Sequence, residues 1–209
     1  MKKTALFLCL GLTILTNDGL SQKRDKLQRY FGEPILTDTL STIFFPVRYN
    51  EGFLSSNKIA LWGDYYANIV VYDFKTDNRK KLFLNDTYIK SFTLNNYFIR
   101  PTDDKLRNVT IKWVFLLVKS MDYNTSGRID ESDPSILFVT TTKGENLRPL
   151  TDGTENVVSL DIYDEQGFGL IKIQKDSNKD KSFKSEDENF YFKKIDLDDL
   201  SFGKGIEIE

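Results

Sequence analysis

Residues 135–151 read SILFVTTTKGENLRPLT, and this stretch predicts how the chain folds. An apolar run is followed by the polar turn Lys143-Gly144-Glu145-Asn146 and then by a second run that ends in a basic residue and apolar neighbours. Runs of β-branched and aromatic residues on both sides of a glycine-containing turn are typical of a β-hairpin. Residues 68–83, NIVVYDFKTDNRKKLF, have the same order, and residues 189–208 offer a third copy. The hairpin is therefore a repeated element.

The rest of the chain after about residue 42 is built in the same way. Short runs rich in Val, Ile, Phe, Tyr and Thr alternate with turn signals, and each hairpin follows another such run. We expect an all-β fold of about three four-stranded antiparallel blades like those of a propeller, over about residues 41–84, 88–151 and 156–208. A β-sandwich is the alternative arrangement of the same strands.

The stretch ILFVTTTKGENLRPLTDGTENVVSLDI (residues 136–162) resembles the blade boundary of TolB-type periplasmic β-propellers. In that family a strand, a turn and an arginine-bearing strand end in Leu-Thr-Asp-Gly before the next blade begins. Residues 68–83 look like the same strand pair in the preceding blade. The resemblance implies propeller repeats and an interaction role over roughly residues 40–208. One departure is that residues 157–170, VVSLDIYDEQGFGL, lack the proline-aspartate-glycine turn usual in that family.

Three blades are too few to close a propeller, so some sheet edges would remain unpaired. Propellers close with about four to eight blades, whereas about three are readable in this sequence. Open edges can pair with another chain. We therefore expect that the chain completes its sheet with a partner subunit, that the leader covers an edge, or that the strands form a sandwich.

The first 21 residues have the layout of a secretory signal peptide. Lys2 and Lys3 precede the apolar run TALFLCLGLTIL, and a small-x-small cleavage site lies at residues 19–21. A helix of that run spans about 18 Å, short of a bilayer core of about 30 Å, so cleavage is favoured over a membrane anchor. We expect an exported protein, periplasmic or extracellular, with residues 22–40 as a leader or short helix and no membrane span after signal removal.

Composition excludes several kinds of site. The chain has no histidine, and its one cysteine, Cys9, lies in the predicted signal peptide. Histidine-dependent triads, imidazole zinc sites, thiolate sites and disulfides are therefore excluded from the mature protein. A net charge of −2 without a long basic cluster argues against nucleic acid as a partner.

Two sets of residues leave other functions open, although we expect a non-enzyme. A hydrolase acting on an extracytoplasmic polymer needs only two carboxylates, while a solvated face accounts for the same acids. Exposed aromatic residues can form a sugar- or peptide-binding platform, and in strands they also fill the core. The candidate acids are Asp103, Asp104, Asp161, Asp164 and Glu165, and the candidate aromatics are Trp62, Trp113 and the pair Tyr65-Tyr66.

The segment DYNTSGRIDESD follows the ligand spacing of an EF-hand calcium loop. Gly127 stands at position 6, where a left-handed backbone is needed, and Ile129 at position 8 is expected to point inward. The flanking runs are β-like, so a hairpin carries the loop and a sensor role is not expected. The predicted ligands are Asp122, Asn124, Ser126, the carbonyl of Arg128, Asp130, and Asp133 in place of the usual glutamate.

A second segment, DSNKDKSFKSED, begins 54 residues after the first, at the same place in the next repeat. Lys181 replaces the glycine and Lys184 occupies position 9, so this is the poorer site, although Phe183 still provides the inward anchor. The predicted ligands are Asp176, Asn178, Asp180, Ser182 at position 7 and Asp187.

These features predict a non-catalytic β module in which Ca²⁺ stiffens two hairpins, with dissociation constants of about 10⁻⁴ to 10⁻³ M. Ordinary polar turns are the alternative for both segments, because Asp and Asn favour turns by bonding their own backbone. The expected partner is an unidentified protein or glycan of the cell envelope.

Overall fold

The computed structural model describes residues 28–38, 41–50, 53–56, 58–93, 112–184 and 188–207. These residues form strands and a single turn of 3₁₀ helix, Asp164–Gln166, which confirms the predicted all-β class. The predicted signal peptide lies outside the described residues.

The strands of the described residues are numbered in chain order. They are β1 (Arg29–Phe31), β2 (Ile35–Asp38), β3 (Thr42–Tyr49), β4 (Phe53–Ser56), β5 (Ile59–Trp62), β6 (Tyr66–Asp73), β7 (Asn78–Lys81), β8 (Tyr88–Thr93), β9 (Trp113–Lys119), β10 (Ile129–Asp130), β11 (Ile136–Thr141), β12 (Arg148–Pro149), β13 (Glu155–Tyr163), β14 (Phe168–Lys175), β15 (Phe190–Asp196) and β16 (Phe202–Glu207).

Antiparallel pairing groups most of these strands into three units. In unit 1, β1 and β2 follow each other along one edge of β3, which pairs with β6, and β6 pairs with β7. Unit 2 has the order β8-β9-β11-β12, and unit 3 has the order β13-β14-β15-β16. A single residue pair, Tyr66 with Ile89, joins the sheets of units 1 and 2.

The predicted leader contributes strands to the sheet. A short helix was one alternative within residues 22–40, but Arg29–Phe31 is strand β1, paired antiparallel with residues 47–49 of β3. Residues 22–27 lie outside the described part of the chain. Pairing with an available sheet edge outweighs the weak local preference of so short a segment.

The three units stack face to face. Along β9, Val114, Leu116 and Val118 pack against unit 1, whereas Phe115 and Leu117 pack against unit 3. Side chains alternate between the two faces of a strand, so burial of both sets means that unit 2 is covered on both sides. A strand that is buried on both faces has apolar residues at consecutive positions, and β9 (WVFLLVK) shows this pattern.

The outer ends of the stack remain open in the described structure. The outer face of unit 1 carries a cavity of about 740 Å³ whose lining includes Phe45, Val70 and Tyr72. All of β16, the last strand of unit 3, is exposed. Completion of the sheet by another chain therefore stays a prediction.

Each unit carries one long connection, between β3 and β6 in unit 1, β9 and β11 in unit 2, and β14 and β15 in unit 3. In unit 1 this connection contains the hairpin β4–β5, and in units 2 and 3 it contains the two predicted calcium loops. The connections lie side by side on one rim, because the N–H of Ile129 donates to the carbonyl of Lys58 (2.8 Å) and the N–H of Phe183 donates to that of Ser132 (2.7 Å). Strand β10 also pairs in parallel with β5.

No helix of the described residues is long and apolar enough to cross a bilayer.

Candidate metal loops and the neighbouring aromatic hairpin

The first half of the loop in unit 2 gathers its oxygen atoms around shared backbone donors. The N–H of Ser126 donates both to Oδ1 of Asp122 (3.0 Å) and to Oδ1 of Asn124 (2.9 Å), and the N–H of Gly127 donates to Oδ2 of Asp122 (2.8 Å). Thr125 and Gly127 have positive φ values of 58° and 90°. The chain therefore coils around the side chains at positions 1 and 3.

The remaining predicted ligands of this loop are linked to the same centre. The hydroxyl of Ser126 donates to the carbonyl of Arg128 (3.0 Å), which joins positions 5 and 7. The amide of Asn124 donates to the hydroxyl of Ser132 (2.8 Å), and that hydroxyl donates to Oδ1 of Asp130 (2.5 Å). The structure thus brings positions 1, 3, 5, 7 and 9 together.

Asp133, at position 12, has a different environment. Its side chain is fully buried, and its oxygens accept the N–H groups of Tyr123 (2.8 Å), Asn124 (3.5 Å) and Asp130 (2.8 Å). Burial raises the pKa of Asp133, and these N–H groups act in the opposite direction. The Asp133 carboxylate therefore links the beginning and the end of the loop through hydrogen bonds to their backbone N–H groups.

The loop in unit 3 adopts the same conformation. The N–H of Asp180 donates to Oδ1 of Asp176 (3.1 Å) and of Asn178 (2.9 Å), and the N–H of Lys181 donates to Oδ2 of Asp176 (2.9 Å). Lys179 and Lys181 have positive φ values of 61° and 62°. These bonds and dihedrals match those of the first loop position by position.

The second half of this loop is less complete as a site. Ser182, at position 7, is 6% exposed, and its hydroxyl finds no hydrogen-bond partner among the described residues. Lys184 brings a positive charge to position 9, and Asp187 lies outside the described residues. The structure therefore brings together Asp176, Asn178 and Asp180 and leaves position 12 undescribed.

Both position 8 side chains are anchors. Ile129 packs against the cluster that contains Leu54 and Leu61 of the hairpin β4–β5. Phe183 is 5% exposed and stacks on Tyr123 of the first loop, with ring centroids 6.0 Å apart. Each loop is therefore fixed to its neighbour on the rim.

A glycine at position 6 of either loop should increase the free energy of unfolding relative to lysine. Lys181→Gly is expected to raise the free energy of unfolding by about 1 kcal/mol in chelator, because it removes the cost of a left-handed backbone at a residue with a Cβ. The reciprocal change, Gly127→Lys, should lower it by a similar amount, and a Cβ there meets nothing within 4 Å. Urea unfolding measures both. A less stable Lys181→Gly variant would contradict the left-handed assignment.

A buried lysine lies under the first loop. Lys119, at the end of β9, is 3% exposed, and its ammonium group donates to the backbone carbonyls of Glu131 (3.2 Å) and Asp133. Burial lowers the pKa of Lys119 to about 8, and the nearby carboxylate of Glu131 offsets this only in part. The buried ammonium group of Lys119 is thus hydrogen-bonded by backbone carbonyls of the loop above it.

Lys119 should make stability rise with pH between about 8 and 10 in chelator. The folded protein releases the Lys119 proton near pH 8, whereas the unfolded lysine keeps it until about pH 10.4. The unfolded state binds more protons in this window, so the free energy of unfolding increases, by at most about 1.4 kcal/mol per pH unit. Urea unfolding at several pH values measures the slope.

The matched variant for this experiment is Lys119→Met, which carries no proton and should flatten the slope. Measurements stop at pH 10, because burial raises the pKa of Tyr49, Tyr65 and Tyr191, and ionisation of unfolded tyrosines then lowers stability. An unchanged slope in Lys119→Met would assign the effect to another group.

The hairpin β4–β5 is fastened to the first loop through Glu131. One oxygen of this carboxylate accepts the backbone N–H of Trp62 (3.0 Å) and the hydroxyl of Tyr65 (3.3 Å). Burial raises the pKa of Tyr65, and Glu131 adds to this effect. The loop and the hairpin are therefore one connected element.

The aromatic residues singled out from the sequence do not form one platform. Trp62 is 68% exposed, whereas Tyr65 is buried and Trp113 donates its indole N–H to the carbonyl of Leu197 (2.9 Å). The partner of Trp62 is Phe53, which sequence reasoning missed. Its position opposite Trp62 is set by the pairing of β4 with β5.

Three of the five candidate carboxylates belong to the described residues. Asp161 is an exposed residue of β13, and Asp164 and Glu165 follow in the 3₁₀ turn, where Asp164 accepts the N–H of Glu165 (3.0 Å). Asp103 and Asp104 lie outside the described residues. A carboxylate-dependent hydrolase stays an alternative prediction.

The oxygen atoms of the first loop suit a hard cation that binds uncharged oxygen ligands as well as carboxylates. In the part of the chain that the structure describes, no three Asp, Glu, His or Cys side chains cluster in a way that would hold a metal. An ion in this loop would therefore draw on amide, hydroxyl and carbonyl oxygens as well, which Ca²⁺ accepts.

Comparison with protein-family models and with curated proteins finds no match for this sequence.

Proposed function

We propose that the chain is an exported, calcium-stabilised β interaction module built from propeller-like units, and that it is not an enzyme. The observation that carries the proposal is the recurrence of one loop conformation at the same place in units 2 and 3. Asp and Asn turns account for each loop separately, and their recurrence at the same place in two units favours a common ligand.

In the first loop, five groups would hold the ion through oxygen. They are the side chains of Asp122, Asn124, Ser126 and Asp130 and the carbonyl of Arg128. Asp133 contributes by holding the N–H groups of the loop, so the ion keeps positions for water. Calcium supplies positive charge that offsets the clustered oxygens.

The second loop would bind more weakly. Asp176, Asn178 and Asp180 provide three side-chain ligands, and Ser182 stands at position 7. Lys184 opposes a cation at position 9, and Asp187 remains a predicted ligand.

The chain's own residues explain what ordering these loops achieves. The first loop carries Ile129 and Glu131 to the hairpin β4–β5, and the second loop carries Phe183 to the first. Fixing the loops therefore fixes the whole rim on which the three connections lie. A rigid rim suits the recognition of a partner in the cell envelope, because less conformational freedom is lost on binding.

The experiment that tests this role is thermal unfolding of residues 22–209 in calcium and in chelator, with the double variant Asp122→Ala/Asp176→Ala. A calcium-dependent increase that disappears in the double variant supports the proposal. Identical melting of the unmodified protein in both conditions contradicts it.

A further inference from the structure

The hairpin β4–β5 displays a pair of aromatic rings in solvent. Phe53 and Trp62 are 44% and 68% exposed, and they lie directly opposite each other on the two strands. Their ring centroids are 4.4 Å apart with an interplanar angle of 25°. The alternate residues Leu54 and Leu61 are buried on the other face of the hairpin. The core is therefore filled without this pair, and most of the Trp62 side chain is left in water.

Hydrogen-bonding groups accompany the rings on the same side of the small sheet. Ser55, Ala60 and Asp130 are in register across β4, β5 and β10, and alternation places them on the side that carries Phe53 and Trp62. Ser55 is exposed, and Ala60 adds little bulk beside the rings. The surface next to the indole therefore combines an apolar plane with polar oxygens.

Two exposed carboxylates lie close to Trp62, one through a hydrogen bond and one along the chain. Glu131, which accepts the backbone N–H of Trp62, is exposed, and so is Asp64, two residues after Trp62. Carboxylates accept hydrogen bonds from hydroxyl groups and repel anionic ligands and anionic membranes. A second stacked pair, exposed Tyr163 with half-buried Phe168, differs because the ammonium group of Lys194 lies 4.7 Å from the Phe168 centroid.

We propose that Phe53 and Trp62 form a stacking platform for a neutral glycan. The face of an aromatic ring carries partial negative charge, so it attracts the C–H bonds on the face of a pyranose ring. The hydroxyl groups at the edge of the sugar then donate to Glu131, Asp64 and Ser55. An anionic peptide or lipid headgroup could lie against the rings, but the neighbouring carboxylates would repel it.

This inference rests on the proposed interaction role. It locates the binding surface on the hairpin β4–β5 and names neutral glycans as the ligand class. The backbone of Trp62 is held by Glu131 and that of Ile59 by β10, so the platform is mounted on the first loop. Calcium that orders the loop should tighten glycan binding, while the rings themselves do not contact the proposed ion.

Ligand-observed saturation-transfer NMR tests the platform with three neutral probes: maltohexaose, cellohexaose and chitohexaose. The mature protein is expected to give a signal with at least one of them at millimolar concentration. Trp62→Ala should weaken binding at least about tenfold, because it removes the larger ring of the platform. The fold should survive, since the bond from Trp62 to Glu131 uses the backbone N–H, and circular dichroism checks this.

The matched control is Tyr163→Ala, which removes an exposed ring of the other stacked pair and should leave glycan binding within about twofold. No signal with any of the three oligosaccharides overturns the proposal, and so does an unchanged signal in Trp62→Ala. Sedimentation with phosphatidylglycerol vesicles that depends on Trp62 would assign the pair to membranes instead. Glycan binding with no calcium effect on melting would overturn the calcium role alone, and the converse result would overturn the platform alone.

Discussion

Calcium at 10 mM is expected to raise the melting temperature of the mature protein by about 3–10 °C over its value in chelator. A ligand that binds only the folded state adds about 1.4 kcal/mol at ten times its dissociation constant and about 2.7 at one hundred times. Sites with dissociation constants of about 10⁻⁴ to 10⁻³ M fall in this range, and about 1 kcal/mol corresponds to 2–4 °C for a domain of this size. Differential scanning calorimetry measures the shift.

The variants assign this shift to the two loops. Asp122→Ala should remove the larger part and Asp176→Ala the smaller part, because only the first loop has an acidic residue at position 9. Each aspartate also accepts two backbone N–H groups, so both variants lose stability in chelator too. The quantity to compare is therefore the difference between calcium and chelator for each variant.

A control aspartate separates ligation from general charge effects. Asp198 lies in an exposed turn of unit 3, and its side chain is 94% exposed. Asp198→Ala should keep the full calcium shift. A shift that survives the double variant Asp122→Ala/Asp176→Ala, or that disappears in Asp198→Ala, would place the ion elsewhere.

The strand pattern was predictable from the sequence because it depends on local periodicity. WVFLLVK is apolar on both sides, and the structure buries both of its faces between units 1 and 3. Loop conformation was predictable for a similar reason. Asp at position 1 followed by Gly or Lys at position 6 is a local relation, and the backbone bonds of both loops follow it.

Relations between distant segments were not predictable in the same way. The spacing predicts Asp133 as a ligand, and spacing carries no information about the burial of its side chain. Lys119 has the sequence context of a surface residue at a strand end, yet it is buried because the loop folds back over it. Phe53 becomes notable only once β4 and β5 pair and the other hairpin residues turn inward.

The contact between units 1 and 2 should be sensitive to one methyl group. Gly144, in the turn of residues 143–146, has a φ of 67°, and a Cβ there would lie 2.6 Å from Cγ2 of Val71. Val71 is 3% exposed in the core of unit 1, so it has little room to move. Gly144→Ala is expected to lower the free energy of unfolding by about 2–5 kcal/mol, the sum of left-handed strain and overpacking. Urea unfolding measures the change.

Gly167→Ala isolates the part of this cost that comes from packing. Gly167 has a φ of 71°, and a Cβ there meets nothing within 4 Å, so this variant should lose only about 1–2 kcal/mol. Adding Val71→Ala to Gly144→Ala should recover part of the difference, because it removes the methyl groups that the new Cβ strikes. Equal losses in Gly144→Ala and Gly167→Ala would mean that the turn of unit 2 does not press on unit 1. The stacking of repeats, and with it the rim that carries both loops, would then need a different arrangement.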